Sequence, residues 1–177
     1  MTKMQQPAAW GAAYNCKWDA WNRLVEVRED SSVIQTNTYD ARTRRITKAT
    51  DSEARSYYYD RQWRAIEERV SGTIDADNAY SPFDRWNLIR RRRFDAGSVD
   101  ETRFVLRDYL DPVSIIETNG TVDERYGYNS FGPVRIMDAN FVARTASVCD
   151  WNWLFHGEFI DLETGLYNYG HRYYHPS

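Results

Sequence analysis

One short phrase recurs along the sequence at nearly constant spacing, and this repeat restricts the fold more than any other feature. It occupies residues 18–25, 39–46 and 59–66, so successive copies start 21 and 20 residues apart. Looser copies begin at Phe83 and, with asparagine in place of aspartate, at Tyr128. A period of about twenty residues holds two strands of five or six residues and two short turns. The repeat therefore predicts a succession of antiparallel β-hairpins.

Each copy opens with an aromatic residue followed by aspartate, as in Tyr39-Asp40. Aspartate suits a turn because its side chain accepts a hydrogen bond from the backbone two residues on. We expect the aromatic residue to end one strand, the aspartate and its three followers to form the turn, and an arginine with an aliphatic residue to open the next strand. Asn119-Gly120, between two strand-like runs, predicts a further tight hairpin. Residues 60–70 are predicted as strand rather than helix, because three tyrosines precede them and the repeat register continues.

Charge and composition favour a folded chain rich in strands and argue against several classes of partner. Aromatic residues make up 15% of the chain, and 23 basic residues face 26 acidic ones without segregating into halves. The run Arg90 to Arg93 is flanked by acidic residues that can neutralise it across strands, so we predict no nucleic-acid partner. No apolar run is long enough for a membrane span, and residues 1–14 lack the apolar core of a secretory signal.

The repeated phrase is similar to the YD repeat of Rhs and teneurin-like proteins, which reads Tyr-Asp-x-x-Gly-Arg-Leu. The C-terminal region also resembles the Rhs-associated core. Residues 161–167 read Asp-Leu-Glu-Thr-Gly-Leu-Tyr and residues 172–176 read Arg-Tyr-Tyr-His-Pro, preceded by Phe-His-Gly at 155–157. The resemblance covers about residues 14–176. It implies an all-β fold in which antiparallel hairpin repeats form a curved segment of a hollow shell, with the core closing one end before a variable toxin released by aspartyl self-cleavage. It also implies an exported or cell-surface protein.

The sequence departs from the family pattern in two ways. The repeat's glycine, whose place tends to need a positive φ, is replaced by Asn22, Thr43 and Trp63. The last two imply either a different turn type or relaxed selection on the fold. The sequence also ends at Ser177, before the Gly-Arg-Phe and Asp-Pro segments of the family, so we expect no self-cleavage site and no toxin. We predict a flexible segment at 1–13, a repeat region at 14–140 and a truncated core motif at 141–177.

We accordingly predict a non-catalytic scaffold or encapsulation segment of an Rhs-type shell, with no catalytic residues, no cofactor and no metal. Its expected partners are other shell segments, or a second copy joined through open strand edges, and a toxin domain encoded elsewhere. A segment cut from a closed shell would expose the aromatic residues of its concave face. We therefore expect a marginally stable monomer that self-associates.

Several residue groups admit another interpretation. His156, His171 and His175 are a candidate metal site, although packing within the tyrosine-rich core explains them more simply. Asp161 and Glu163 share a strand face as a glycosidase pair would, but they belong to the family's structural turn. The sequence leaves open whether Cys16 and Cys149, which allow one disulfide at most, form a pair.

Two short segments resemble ligand or modification sites. Residues 75–78 begin like a calcium loop but lack its glycine and its distal glutamate, so we predict a solvated connection. Residues 119–121 match a glycosylation sequon that the hairpin turn accounts for.

The second hypothesis for function is a carbohydrate-binding surface module. Aromatic rings on a sheet can stack on sugars, and Trp151, Trp153, Tyr167 and Tyr169 are the candidate platform. This hypothesis requires the two tryptophans to be exposed, whereas packing inside the repeat sheet requires them to be buried.

Overall fold

A computed structural model describes residues 1–7, 9–84 and 86–176. The described chain forms two antiparallel sheets and one short 3-10 turn, Phe155–Gly157. The strands of the large sheet are β1 (Thr2–Gln6), β2 (Ala9–Trp18), β3 (Leu24–Glu29), β4 (Ser32–Tyr39), β5 (Arg45–Ala49), β6 (Ala54–Tyr59), β7 (Ala65–Val70), β8 (Thr73–Tyr80), β9 (Leu88–Asp95), β10 (Ser98–Asp108), β11 (Asp111–Glu117), β12 (Val122–Tyr128), β13 (Val134–Met137) and β14 (Ala143–Arg144). The small sheet contains β15 (Phe159–Asp161), β16 (Leu166–Asn168) and β17 (Tyr173–Tyr174).

The fourteen strands of the large sheet lie side by side in sequence order, each antiparallel to the next. This meander confirms the predicted all-β class and the hairpin repeats. Residues 60–70 form a turn and strand β7, as predicted, and Asn119-Gly120 lies in the turn between β11 and β12. The described part of the chain contains no helix with the length and hydropathy of a membrane span.

The repeat turns form as the aspartates predict. In the first three copies Oδ1 of Asp19, Asp40 and Asp60 accepts the backbone N–H two residues later, at 2.8–2.9 Å. The same oxygen accepts the N–H of the arginine four residues later, at 3.0–3.1 Å. The preceding strand ends at the aromatic residue, and the next strand begins one residue after the arginine.

The residues that replace glycine keep the same turn. The φ angles of Asn22, Thr43 and Trp63 are 60°, 66° and 69°, and the hydrogen bonds around them match. The different turn type that we considered for Thr43 and Trp63 is therefore wrong. The aspartate and arginine bonds hold the backbone in the left-handed region, although a side chain with a branched or bulky Cβ disfavours it.

Two repeat turns differ from those predicted from the sequence. The aromatic residue that ends β8 is Tyr80 rather than Phe83, which is 97% exposed. That turn is two residues longer than the regular repeat turn, because residues 81–87 separate β8 from β9 where residues 40–44 separate β4 from β5. Arg85 lies outside the described residues. A further turn that we did not predict follows β13, where Asp138 Oδ1 accepts the N–H of Asn140 at 2.8 Å. Met137 stands where the other copies have the aromatic residue, so the repeat pattern did not reveal this copy.

Residues 145–176, here called the C-terminal segment, pack across one face of the large sheet. Its side chains join two buried clusters with those of the sheet. The larger cluster contains Tyr57, Ala65, Leu88, Ile115 and Tyr126 from the sheet and Cys149, Trp151, Trp153, Leu154, Phe155, Phe159, Ile160 and Tyr167 from the segment. The smaller contains Tyr14, Cys16, Leu24, Val27 and Leu166. We call the covered face of the sheet its inner face.

This packing corrects the physical reason for the expected self-association. The aromatic residues of the inner face, such as Tyr57 and Tyr126, are buried beneath the C-terminal segment rather than exposed. Strand β1 and the start of β2 also lie within residues 1–13, where we predicted a flexible segment. They pair because Met4 packs against the smaller cluster opposite Tyr14. The domain boundary at residue 140 stays a prediction.

Candidate functional site

The site with the richest chemistry is the contact between the C-terminal segment and the inner face, and Arg45 lies at its centre. The first residue of the strand after a repeat turn points into the core: Leu24 is 1% exposed and Ala65 is 2% exposed. Arg45 occupies the equivalent position and is also 2% exposed. The repeat thus places a cation where its other copies place apolar side chains, and a buried cation needs an anionic partner.

Asp161 of the C-terminal segment is that partner. Its Oδ2 accepts a 2.5 Å hydrogen bond from Arg45 Nη1 and a 2.9 Å bond from Gln35 Nε2, and its side chain is fully buried. Burial alone would lower the pKa of Arg45, but the charge of Asp161 holds that pKa well above its ordinary value. Nearby, Lys48 Nζ contacts both oxygens of Glu163, at 2.9 and 3.0 Å. The acidic residues of the core motif therefore fasten the segment to β4 and β5.

Glu124 fastens the start of the segment. This fully buried carboxylate on β12 accepts hydrogen bonds from the Ser147 hydroxyl at 2.8 Å and from the Val148 N–H. It also accepts the Tyr126 hydroxyl at 2.6 Å. Burial and this bond both raise the pKa of Tyr126, which keeps the phenol neutral.

Arg91 on β9 holds the next residues of the segment, Cys149 and Asp150, through their backbone carbonyls. Its guanidinium donates to the carbonyls of Cys149 at 2.6 Å and Asp150 at 2.7 Å, and it lies 4.7 Å from the centre of the Trp151 ring. Burial lowers the pKa of Arg91 to about 10. Carbonyl groups and an aromatic face thus solvate this cation in place of a carboxylate.

A cavity of about 280 Å³ remains between the C-terminal segment and the turns around β6 to β9. About half of its lining residues are aromatic, and its polar lining groups come from arginine, asparagine, glutamate and histidine. Its aromatic lining residues are Tyr57, Tyr59, Trp63, Tyr80, Trp86, Trp153, Phe159 and Tyr169.

The structure separates the three histidines of the candidate metal site. His156 Nδ1 lies 3.1 Å from the Tyr169 hydroxyl, His171 Nδ1 lies 2.7 Å from Thr43 Oγ1, and His175 Nε2 lies 2.9 Å from the Gln5 carbonyl. Among the residues that the structure describes, no three metal-binding side chains cluster. The candidate glycosidase pair, Asp161 and Glu163, instead forms the ion pairs with β5.

The arginine run pairs across strands, but with acids other than those flanking it. Arg90 and Arg92 bond Asp77, Arg93 bonds Asp75 and Asp150, and Arg91 points inward. Residues 75–78 therefore belong to strand β8 rather than to the solvated connection that we predicted. The sequon at 119–121 lies in the predicted hairpin turn.

The cysteines and the aromatic platform are both buried. Cys16 and Cys149 are free thiols in different clusters. Trp151 is 1% exposed and Trp153 is 9% exposed, so the proposed sugar platform is wrong.

Sequence reasoning missed the partners of Asp161, namely Gln35, Arg45 and Lys48. The available signal was a charged residue at a repeat position that is apolar in the other copies. That signal marks Arg45 only once the copies are aligned, and it does not identify Asp161, which is 116 residues away.

Comparisons with known proteins support the fold. No family model matches the chain. Over 161 residues it is 24% identical to the tRNA(Glu)-specific nuclease WapA of Bacillus subtilis subsp. natto (strain BEST195). Over 169 residues it is 25% identical to the tRNA nuclease WapA of Bacillus subtilis (strain 168). Each match covers 90% of this chain but only 6% of the relative.

Solved structures give a closer likeness of shape. The crystal structure of TcdB2-TccC3-Cdc42 superposes with a TM-score of 0.64 at 15% identity, covering 92% of this chain and 8% of the other. The structure of TcdB2-TccC3 without its hypervariable C-terminal region gives 0.63 at 16% identity with the same coverage. The chain therefore has an Rhs-like fold, a long antiparallel sheet like that of these shells.

Proposed function

We propose that this chain is a non-catalytic wall segment of an Rhs-type shell that belongs to a toxin-delivery or cell-surface protein. The observation that carries the proposal is a contact repeated between consecutive hairpins. Nη1 of Arg23 donates to the Asp40 carbonyl at 3.1 Å, and its guanidinium lies 5.1 Å from the Tyr39 ring centre. The Tyr39 hydroxyl donates back to the Leu24 carbonyl at 2.8 Å.

The same contact joins the next two pairs of hairpins. Nη1 of Arg44 donates to the Asp60 carbonyl at 3.3 Å and lies over Tyr59, and Nη1 of Arg64 donates to the Ser81 carbonyl at 3.1 Å and lies over Tyr80. Each turn thus fixes the position of its neighbour. A structure built from such nearest-neighbour contacts extends by adding repeats, which suits a wall.

The absence of catalysis is a proposal of its own. It is supported by how the buried charged groups are used: Asp161 and Glu124 both accept several hydrogen bonds from within the chain. The two nuclease relatives match over 6% of their length, so their named activity has ample sequence outside the match.

Incubation of the purified chain with total tRNA tests this part of the proposal. We expect no cleavage above that of a buffer control across a range of divalent metal concentrations. Cleavage that co-purifies with the chain and is lost in a variant of a single residue would show a catalytic site and overturn the proposal.

Association through strand edges tests the wall itself. In the described chain the sheet order ends at β1 and β14, and an edge strand offers unpaired N–H and C=O groups to another chain. We expect light scattering to show concentration-dependent association. Because alternate residues direct N–H outward, one of Thr2→Pro and Lys3→Pro should reduce it. The matched alanine variants should not, since both side chains are exposed. A compact monomer at every concentration would contradict pairing through β1.

A further inference from the structure

The aromatic cavity between the C-terminal segment and the sheet is not required for a role as a wall. Its lining includes the exposed Trp86 and His171, the half-buried Trp63, and the buried Tyr57 and Trp153. At about 280 Å³ it is near the lower end of the size of small-molecule sites. It has room for one ring with a polar substituent.

Trp63 reaches the cavity from a backbone position that disfavours it. Its φ is 69°, at the turn position where the family pattern has glycine. A left-handed conformation is unfavourable for a bulky residue, and such strain tends to persist where the side chain is used. The centre of its ring lies 4.6 Å from that of His171, with the two planes tilted by 44°, and both residues line the cavity.

Three other lining residues hold polar hydrogens without a partner. Arg45 Nε, the Tyr57 hydroxyl and Trp153 Nε1 are shielded from solvent and form no hydrogen bond with the described residues. Tyr57 replaces an asparagine of the neighbouring repeats: Asn37 and Asn78 donate to the carbonyls of Leu24 and Ala65, each at 3.0 Å. The repeat therefore offers a satisfied alternative at this position, and the chain carries a tyrosine instead.

The charge of the lining favours a neutral ligand. The three arginines that line the cavity already have carboxylate partners: Arg44 pairs with Asp40, Arg64 with Asp60 and Arg45 with Asp161. Burial raises the pKa of Tyr57 well above its ordinary value, so its hydroxyl stays a donor. The Tyr57 hydroxyl and Trp153 Nε1 are donors that lack a partner, and they lie among aromatic side chains. A flat ring that carries an oxygen acceptor matches this combination.

We propose that this cavity binds a neutral aromatic group bearing an oxygen acceptor, such as a phenol or an aromatic amide. The ring packs against Trp63 and the wall tyrosines. Its oxygen accepts from Tyr57 and Trp153 once these side chains shift toward the ligand, because both donor atoms are shielded in the free protein. Either a free small molecule or a tyrosine side chain of a polypeptide supplies this chemistry.

Titration of the ¹⁵N-labelled full chain tests the proposal, because each of the seven tryptophans gives its own indole N–H signal. The probes are 4-hydroxybenzamide and the blocked peptide acetyl-Gly-Gly-Tyr-Gly-Gly-amide. We expect saturable shifts of the Trp63 and Trp153 signals, with the exposed Trp21 signal unchanged. Tighter binding of the free amide identifies a small-molecule site, and equal or tighter binding of the peptide identifies a side-chain site.

Two variants separate binding from folding. Trp63→Ala should weaken binding about tenfold, whereas Trp21→Ala, a change at another repeat turn, should not. Tyr57→Phe should weaken binding about two- to tenfold but raise the melting temperature of the free protein, because it removes a buried hydroxyl without a partner. If Tyr57 had only a structural role, Tyr57→Phe would not weaken binding while raising the melting temperature.

Three results would overturn the proposal. The first is the absence of saturable shifts with both probes. The second is equal binding of cyclohexanecarboxamide, which has the same amide on a non-aromatic ring. The third is binding that Trp63→Ala and Tyr57→Phe both leave unchanged.

Discussion

The repeat turns and the inner face hold charged groups in opposite ways. In the turns, Asp40 bonds groups two and four residues away, and its side chain remains 21% exposed. On the inner face, Asp161 is fully buried and bonds groups 116 and 126 residues away. The turns therefore set the path of the chain, and each contributes only modestly to the free energy of unfolding. The inner face decides whether the sheet and the C-terminal segment form one unit.

Arg45→Ala should have the largest effect. Removing one member of a buried ion pair leaves the other charge uncompensated, so we expect a loss of about 3–5 kcal/mol in the free energy of unfolding. Arg44→Ala, at the neighbouring turn position, should cost about 1 kcal/mol or less because its ion pair is partly exposed. Urea unfolding measures both, and equal losses would remove the distinction between the two regions.

Raising the pH should have the second-largest effect, a loss of stability at the inner face. Burial raises the pKa of Tyr59 to about 12, and burial also raises those of Tyr57 and Tyr173 well above 10.0. The folded state then retains protons that the unfolded chain releases, so stability should be full below about pH 10 and fall as the pH rises above it. Each unit of raised pKa corresponds to about 1.4 kcal/mol at most. Urea midpoints together with tyrosinate absorbance measure this, and a constant midpoint through that range would argue against buried phenols.

Asp40→Ala should have a moderate effect confined to one turn. It removes two hydrogen bonds to the backbone and the contacts with Arg44, which together should cost about 1–2 kcal/mol. Asp161→Ala should cost more and also expose Trp151 to quenchers. An Asp40→Ala loss as large as that of Asp161→Ala would show that the turns carry more of the stability than we infer.

Thr43→Gly should have the smallest effect, and a favourable one. Glycine adopts a positive φ without steric penalty, so we expect a gain of up to about 1 kcal/mol, reduced by loss of the Thr43 bond to His171. Asn22→Gly is the matched control and should gain only a few tenths, because asparagine tolerates this region. Thermal unfolding compares the two, and a larger gain at Asn22 would contradict the strain argument.

The two regions also differ in what the sequence could predict. The turns follow from aspartate and its near neighbours, so their positions could be predicted, apart from the copies hidden by Met137 and by the insertion after Ser81. The pairing of Arg45 with Asp161 depends on how a sheet of fourteen strands brings distant residues together. No local pattern contains that information. The exposure of the inner face was mispredicted for the same reason.

Hydrogen exchange of the C-terminal segment is the most direct test of the central claim that it is part of the sheet's core. The amide of Ile160 donates to the Asn152 carbonyl at 2.9 Å, and β15 and β16 pair beneath the buried clusters. We predict that the amides of β15 and β16 exchange only through global unfolding, at the same free energy as those of β5 to β7. Exchange of the segment at much lower free energy, with the repeat strands still protected, would show that the sheet folds without it.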